Sequence, residues 1–206
     1  MTARRTAAVV WIACGLWYLA AEAVAASRLP GYRYSVAYIS DLGVPGHSPG
    51  AGWMNSGFVL QGIGFAVAAA LVFTTVRRSR ATLALLVLAL LYGIGSVVVG
   101  VVHGGGTGAV RIAHIGGATA AIVAGNVALV TGGVVLLRRG RTGYGVVSAV
   151  LGVAGLFSAV ILVRPDIVGT VASGAWERGG VYTIIAWQLV AGVVLALEVS
   201  RQRRRG

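Results

Sequence analysis

Apolar residues gather along the chain into six runs, at roughly 7–27, 53–76, 81–102, 112–137, 144–163 and 180–199. Each is close to the ~20 residues that a helix needs to cross the hydrocarbon of a bilayer. Polar residues fall between the runs, in Arg28–Gly52, Arg77–Arg80, His103–Arg111, Arg138–Gly143 and Arg164–Gly179. This alternation predicts an all-α, polytopic membrane protein in which residues 1–206 form one compact bundle of six transmembrane helices. Small residues recur at four-residue spacing, in Ser96-Gly100-Gly104, Gly117-Ala121-Gly125, Ser148-Gly152 and Gly192-Ala196. Such stripes let helix backbones approach closely in lipid. No internal repeat relates the two halves.

Composition agrees with the pattern. Of 206 residues 57% are hydrophobic and only 11% charged. A soluble domain carries about a quarter charged residues, so this chain cannot coat a water-facing surface, and it is far too hydrophobic for a disordered one. The net charge of +12 does not mark a nucleic-acid partner, because all seventeen basic residues are arginines set in short clusters between apolar runs. Arg4, Arg5, Arg77, Arg78, Arg80, Arg138, Arg139, Arg141, Arg201, Arg203, Arg204 and Arg205 fall on one side of the predicted bundle. Arg28, Arg33, Arg111, Arg164 and Arg178 fall on the other. The positive-inside rule then predicts a multi-pass plasma-membrane protein with both termini cytoplasmic, its C-terminal arginines anchored against acidic lipid.

The first run also reads as a signal peptide, with basic Met1–Arg5 ahead of it and Ala23-Val24-Ala25 at its end. Trp11, Gly15, Tyr18 and Glu22 lie on one helical stripe, however, which favours a retained, packed helix. The single Cys14, inside that run, can form no internal disulfide and reads as a small buried residue.

Polar side chains inside lipid are costly, and each is a functional candidate. Glu22, Gln61, His114, Asn126 and Gln188 lie within the runs; Asp41, His47, Asn55, His103, Arg111, Asp166, Glu177 and Arg178 lie in or near the outer loops. All of the first group except Asn126 fall in the extracytoplasmic half, which predicts a polar cavity open to that side. Glu22 is either a buried base or the partner of an outer arginine. His114 shares the small face of its helix, and Gln61 and Gln188 read as interhelical hydrogen-bonding residues. His47, His103 and His114 with Glu22 and Asp41 include no i, i+4 metal pair, so no metal or other cofactor is predicted. The glycine-rich His103–Gly108 lacks the Lys-Ser/Thr of a phosphate loop. Asp41, Arg111 and His114 are expected at one height, forming a single cluster with Glu22 beneath. The rival expectation is that Asp41 caps its own turn while Arg111 snorkels to headgroups.

Tyr32, Tyr34, Tyr38 and Trp53 supply the aromatic set of a membrane interface. Among them, the Ser40-Asp41-Leu42-Gly43 turn, the Asn55/Gly57-Phe58/Gly62 helix start and His114-Ile115-Gly116-Gly117-Ala118 resemble the domain of unknown function 998 family of bacterial and archaeal membrane proteins. The same elements are similar, more distantly, to the DRAM/Frag group. The resemblance implies a six-helix bundle in the plasma membrane and no established reaction. It marks Ser40, Asp41, Gly43, Asn55, Gly57 and His114 as motif positions without roles. The leading expectation is a non-enzymatic protein whose outward cavity binds a lipid or small hydrophobic molecule, or which supports an envelope complex. Its partners would be membrane lipids and a membrane protein or second copy of itself. The alternatives are an intramembrane acid–base or metal-dependent hydrolase or transferase using Glu22, Asp41 and His114, and a small-molecule transporter.

Overall fold

The computed structural model describes residues 2–164 and 173–203; Asp166, Arg204 and Arg205 lie outside the described residues. Six helices cover most of the chain, and no strand occurs among the described residues: α1 Thr2–Ser27, α2 Ala51–Phe73, α3 Arg80–Val101, α4 Gly108–Arg138, α5 Thr142–Leu162 and α6 Ser173–Arg203. All six are long and apolar enough to cross a membrane. Each packs on the next, α6 closes the ring onto α1, and α4 also meets α6. The bundle therefore has a terminal end, where Arg4 of α1 reaches Glu198 of α6, and a loop end carrying residues 28–50 and 102–107.

Local chemistry sets the boundaries. Ser79 opens α3 with a reciprocal cap: its hydroxyl accepts from the Thr82 N–H while the Thr82 hydroxyl accepts from the Ser79 N–H. Gly140 closes α4 in the left-handed region (φ 74°). Its N–H donates to Leu137 and that of Arg141 donates to Leu136, a Schellman ending. Helix α6 begins at Ser173, about two turns before the apolar run at 180. Glu177 and Arg178 both find buried partners there, so their charges do not end the helix.

The stripe predicted on α1 faces inward: Trp11, Gly15, Tyr18 and Glu22 are all buried. Loss of α1 would strip partners from Arg178 and Gln188, since Glu22 receives Arg178 and the Trp11 carbonyl receives Gln188. Small residues set the closest approaches. A Cβ on Gly62 would stand 2.5 Å from the Gly93 carbonyl and one on Gly93 2.7 Å from the Gly62 carbonyl. Gly133 and Gly145 make the same reciprocal contact between α4 and α5. Gly104, counted in the small-residue stripe of the third run, lies beyond the end of α3 and packs instead against the His114 ring. The outward faces are apolar, with Leu16, Ile94, Ile112, Val150 and Phe157 exposed, as hydrocarbon requires once every backbone group is satisfied within a helix.

Candidate functional site

Arg178 organises the loop end. Its Nε and Nη2 reach Glu22 Oε1 at 2.9 and 2.8 Å. Its Nη1 donates to the carbonyls of Tyr34, Ala37 and Gly174, and Nη2 also donates to the Tyr32 hydroxyl. The guanidinium lies over the rings of Tyr34 (4.7 Å) and Tyr32 (5.6 Å), a cation–π cradle. Glu22 is 1% exposed, and its second oxygen accepts from Tyr182 at 2.9 Å. Glu177, also buried, accepts the Ile39 N–H. Burial pushes the Tyr32 phenol up to about 12, the Arg178 hydrogen bond opposing this without outweighing it. Two adjacent charged residues of α6 thus strap the 32–39 segment across the bundle.

The expected cluster of Glu22, Asp41, Arg111 and His114 is divided among other partners. Glu22 takes Arg178, as above. Asp41 accepts from the Tyr38 N–H at 3.0 Å and caps its own turn. Arg111 is exposed and makes no ion pair among the described residues. His114 is buried with Nδ1 2.6 Å from the Val102 carbonyl, tying α4 to the end of α3. The physical reason is reach: Arg178 offers a guanidinium inside the bundle, directly against Glu22, whereas Arg111 points out to the surface.

The motif positions acquire structural roles. Ser40 and Gly43 bound a short 3-10 turn that sinks Leu42 into the core behind Ile39. Asn55 donates from Nδ2 to the Gly43 carbonyl at 2.9 Å, pinning that turn to α2. A Cβ on Gly43 would stand 2.4 Å from Asn55 Oδ1 and one on Gly57 3.1 Å from Ala21 Cβ, so both glycines permit the close seat. His47 is exposed, and no group of three His, Cys, Asp or Glu converges on a metal position among the described residues.

Deeper in the bundle, Gln61 and Gln188 are both 0% exposed and bond to each other. Gln61 also donates to Tyr92 and Gln188 to the Trp11 carbonyl. Asn126, likewise 0% exposed, joins α4 to α6 by donating to the Gly180 carbonyl and accepting from Thr183. These groups are satisfied pairwise, as interhelical hydrogen-bonding residues are.

Open space lies at the terminal end, opposite the charged groups of the loop end. A cavity of about 270 Å³ is walled by apolar side chains, among them Phe65, Ala89, Ala128, Leu195 and the ring of Trp187, with Gly132 on its lining. Arg4, Arg139, Arg141 and Glu198 stand around it. Glu198 accepts from Arg141 at 2.5 Å and from Arg4 at 3.3 Å. Three lining polar atoms are buried without a hydrogen-bond partner: Trp11 Nε1, Tyr144 Oη and Arg4 Nε. Trp11 itself is only 7% exposed. Buried polar atoms are rarely left unpaired; Asn55 Oδ1 and Trp176 Nε1 at the loop end share that state, so what distinguishes the cavity is its open space and apolar walls.

A family profile described as a protein of unknown function (DUF998) matches residues 12–194. The chain belongs to that family. No curated protein and no solved structure matches it, and the more distant likeness to the DRAM/Frag group is not shown. The DUF998 match takes in the Arg178 strap, the Gly43–Asn55 seat and, at the cavity, Arg139, Arg141, Tyr144 and Trp187. Arg4, Trp11 and Glu198 lie just outside it. Two features of this DUF998 protein are only partly legible span by span. Pairing with an outer arginine is one of the two roles expected of Glu22, and the structure identifies that arginine as Arg178; the signal is the charged Glu177-Arg178 pair just ahead of an apolar run. Glu198, near the end of the sixth run and close to Arg201, is the single carboxylate on the side that holds the twelve arginines, a signal that spans alone do not use.

Proposed function

We propose that this DUF998 protein binds a lipid chain or small hydrophobic molecule in the cavity at its terminal end and performs no catalysis of its own. The observation that carries the reading is a space of about 270 Å³ with predominantly apolar walls, beside which Trp11 Nε1 and Tyr144 Oη are buried without hydrogen-bond partners. That combination of mostly apolar walls and few polar groups suits a small ligand. This reading puts the binding space at the end opposite the polar cavity expected from the sequence, since Glu22, Glu177 and Arg178 at the loop end already have partners. The arginine distribution supports a plasma-membrane protein with the terminal end facing the cytoplasm, which would put the cavity in the inner leaflet.

The test is native mass spectrometry of protein extracted in mild detergent, comparing the parent chain with Gly132→Leu. A Cβ on Gly132 meets only Leu85 Cδ2, at 3.8 Å, so a side chain can start from this lining position in ordinary van der Waals contact. The parent is expected to retain an apolar adduct that Gly132→Leu loses. An adduct equal in both proteins, or absent from both, overturns the proposal.

A further inference from the structure

We infer that the cavity selects an amphiphile with an oxyanion head, held by Arg4 and Arg139 at the rim; the inference rests on the cavity being a binding site. Charge at the rim is unbalanced. Arg4, Arg139 and Arg141 face one carboxylate, Glu198, which already accepts from Arg4 and Arg141. Arg139 has no acidic partner among the described residues, and Arg4, its side chain 28% exposed, reaches Glu198 through Nη2 alone. An uncharged head would leave these donors as they are, whereas a carboxylate or phosphate accepts from both. Arginine is well suited to that task, since its guanidinium presents fixed, parallel donors to planar or tetrahedral oxyanions.

Glu198 shows the chemistry within the chain itself. Its carboxylate bridges the start of α1 and the turn between α4 and α5, so a second oxyanion meets the same kind of donors on Arg139 and on the exposed part of Arg4. The Schellman ending at Gly140 fixes where Arg139 and Arg141 leave α4, and so holds the rim in place. The walls suit the tail, being apolar along the cavity, as an alkyl chain requires. Trp11 and Trp187 line the walls, so occupancy changes indole fluorescence.

The experiment titrates decanoate, decyl phosphate and decanol into the full-length protein in zwitterionic nanodiscs, reading tryptophan fluorescence, with Gly132→Leu as the blank for partition into lipid. Either anion is expected to bind at least about tenfold more tightly than decanol, the scale of a charged hydrogen bond, and the two anions separate a carboxylate from a phosphate preference. The double variant Arg4→Gln/Arg139→Gln is expected to lose that tenfold advantage while binding decanol as the parent does, which also shows that it has folded. Decanol binding as tightly as both anions, or an anion preference that survives the double variant, overturns the inference and leaves the binding site standing. Signals that persist undiminished in Gly132→Leu for all three probes overturn the site itself.

Discussion

Replacing Arg178 with methionine removes the centre of the loop-end network while keeping an unbranched side chain of similar length. In the folded protein Glu22 would be left 1% exposed with Tyr182 as its remaining partner. The carbonyls of Ala37 and Gly174 and the Tyr32 hydroxyl would each lose a donor. Removing one member of a buried ion pair costs about 3–5 kcal/mol, because the other charge stays behind uncompensated. The carbonyl of exposed Tyr34 can turn to water, so its loss adds little. Glu22→Leu is expected to cost a similar amount by stranding the guanidinium. The double variant Glu22→Leu/Arg178→Met should then be less damaging than the two singles together, with a coupling energy of about 2 kcal/mol. Equilibrium unfolding in mixed detergent micelles measures these differences. A second readout reports the strap directly: trypsin should cut after Arg33 faster in Arg178→Met than in the parent, since the 32–39 segment loses its tie to α6. Additive single and double variants, or an Arg178→Met protein within about 0.5 kcal/mol of the parent and with unchanged cleavage, would refute the reasoning.

Two further outcomes follow from the geometry. Gly62→Ala forces a Cβ to 2.5 Å from the Gly93 carbonyl and should destabilise the protein by about 1–3 kcal/mol through overpacking; Gly116→Ala, with nothing within 4 Å, should leave it unchanged or slightly stabilised, and equal melting of the two variants would contradict the close α2–α3 seat. The Tyr32 phenol is held up at about 12 against its ordinary 10.0, so the neutral form is favoured by the fold. Its stabilisation of the strap is complete below about pH 10 and is lost as the pH rises through about 12. An ultraviolet difference titration of the parent against Tyr32→Phe should locate the missing phenol near the upper value, and a midpoint near the ordinary one would show that Tyr32 is not buried against Arg178.

The sequence by itself determined the number and type of elements, because the bilayer imposes its requirement locally: about twenty apolar residues must be contiguous, and that can be counted along the chain. The inward stripe of α1 was legible for the same kind of reason, since helical spacing places Trp11, Gly15, Tyr18 and Glu22 on one face whatever they pack against. The interhelical role of Gln61 and Gln188 followed from their depth in an apolar run. Choice of partner was decided only by the tertiary structure. Glu22 and Arg178 are 156 residues apart and Arg4 and Glu198 are 194 apart; no spacing rule reaches across such distances, and Asp41, Arg111 and His114 were equally plausible neighbours until the helices were arranged. The cavity was beyond the sequence for a further reason. Its walls are ordinary core residues, with small ones such as Ala89, Ala128 and Gly132 among the lining, and the space they leave is a mismatch of volume that appears only when six helices are packed together.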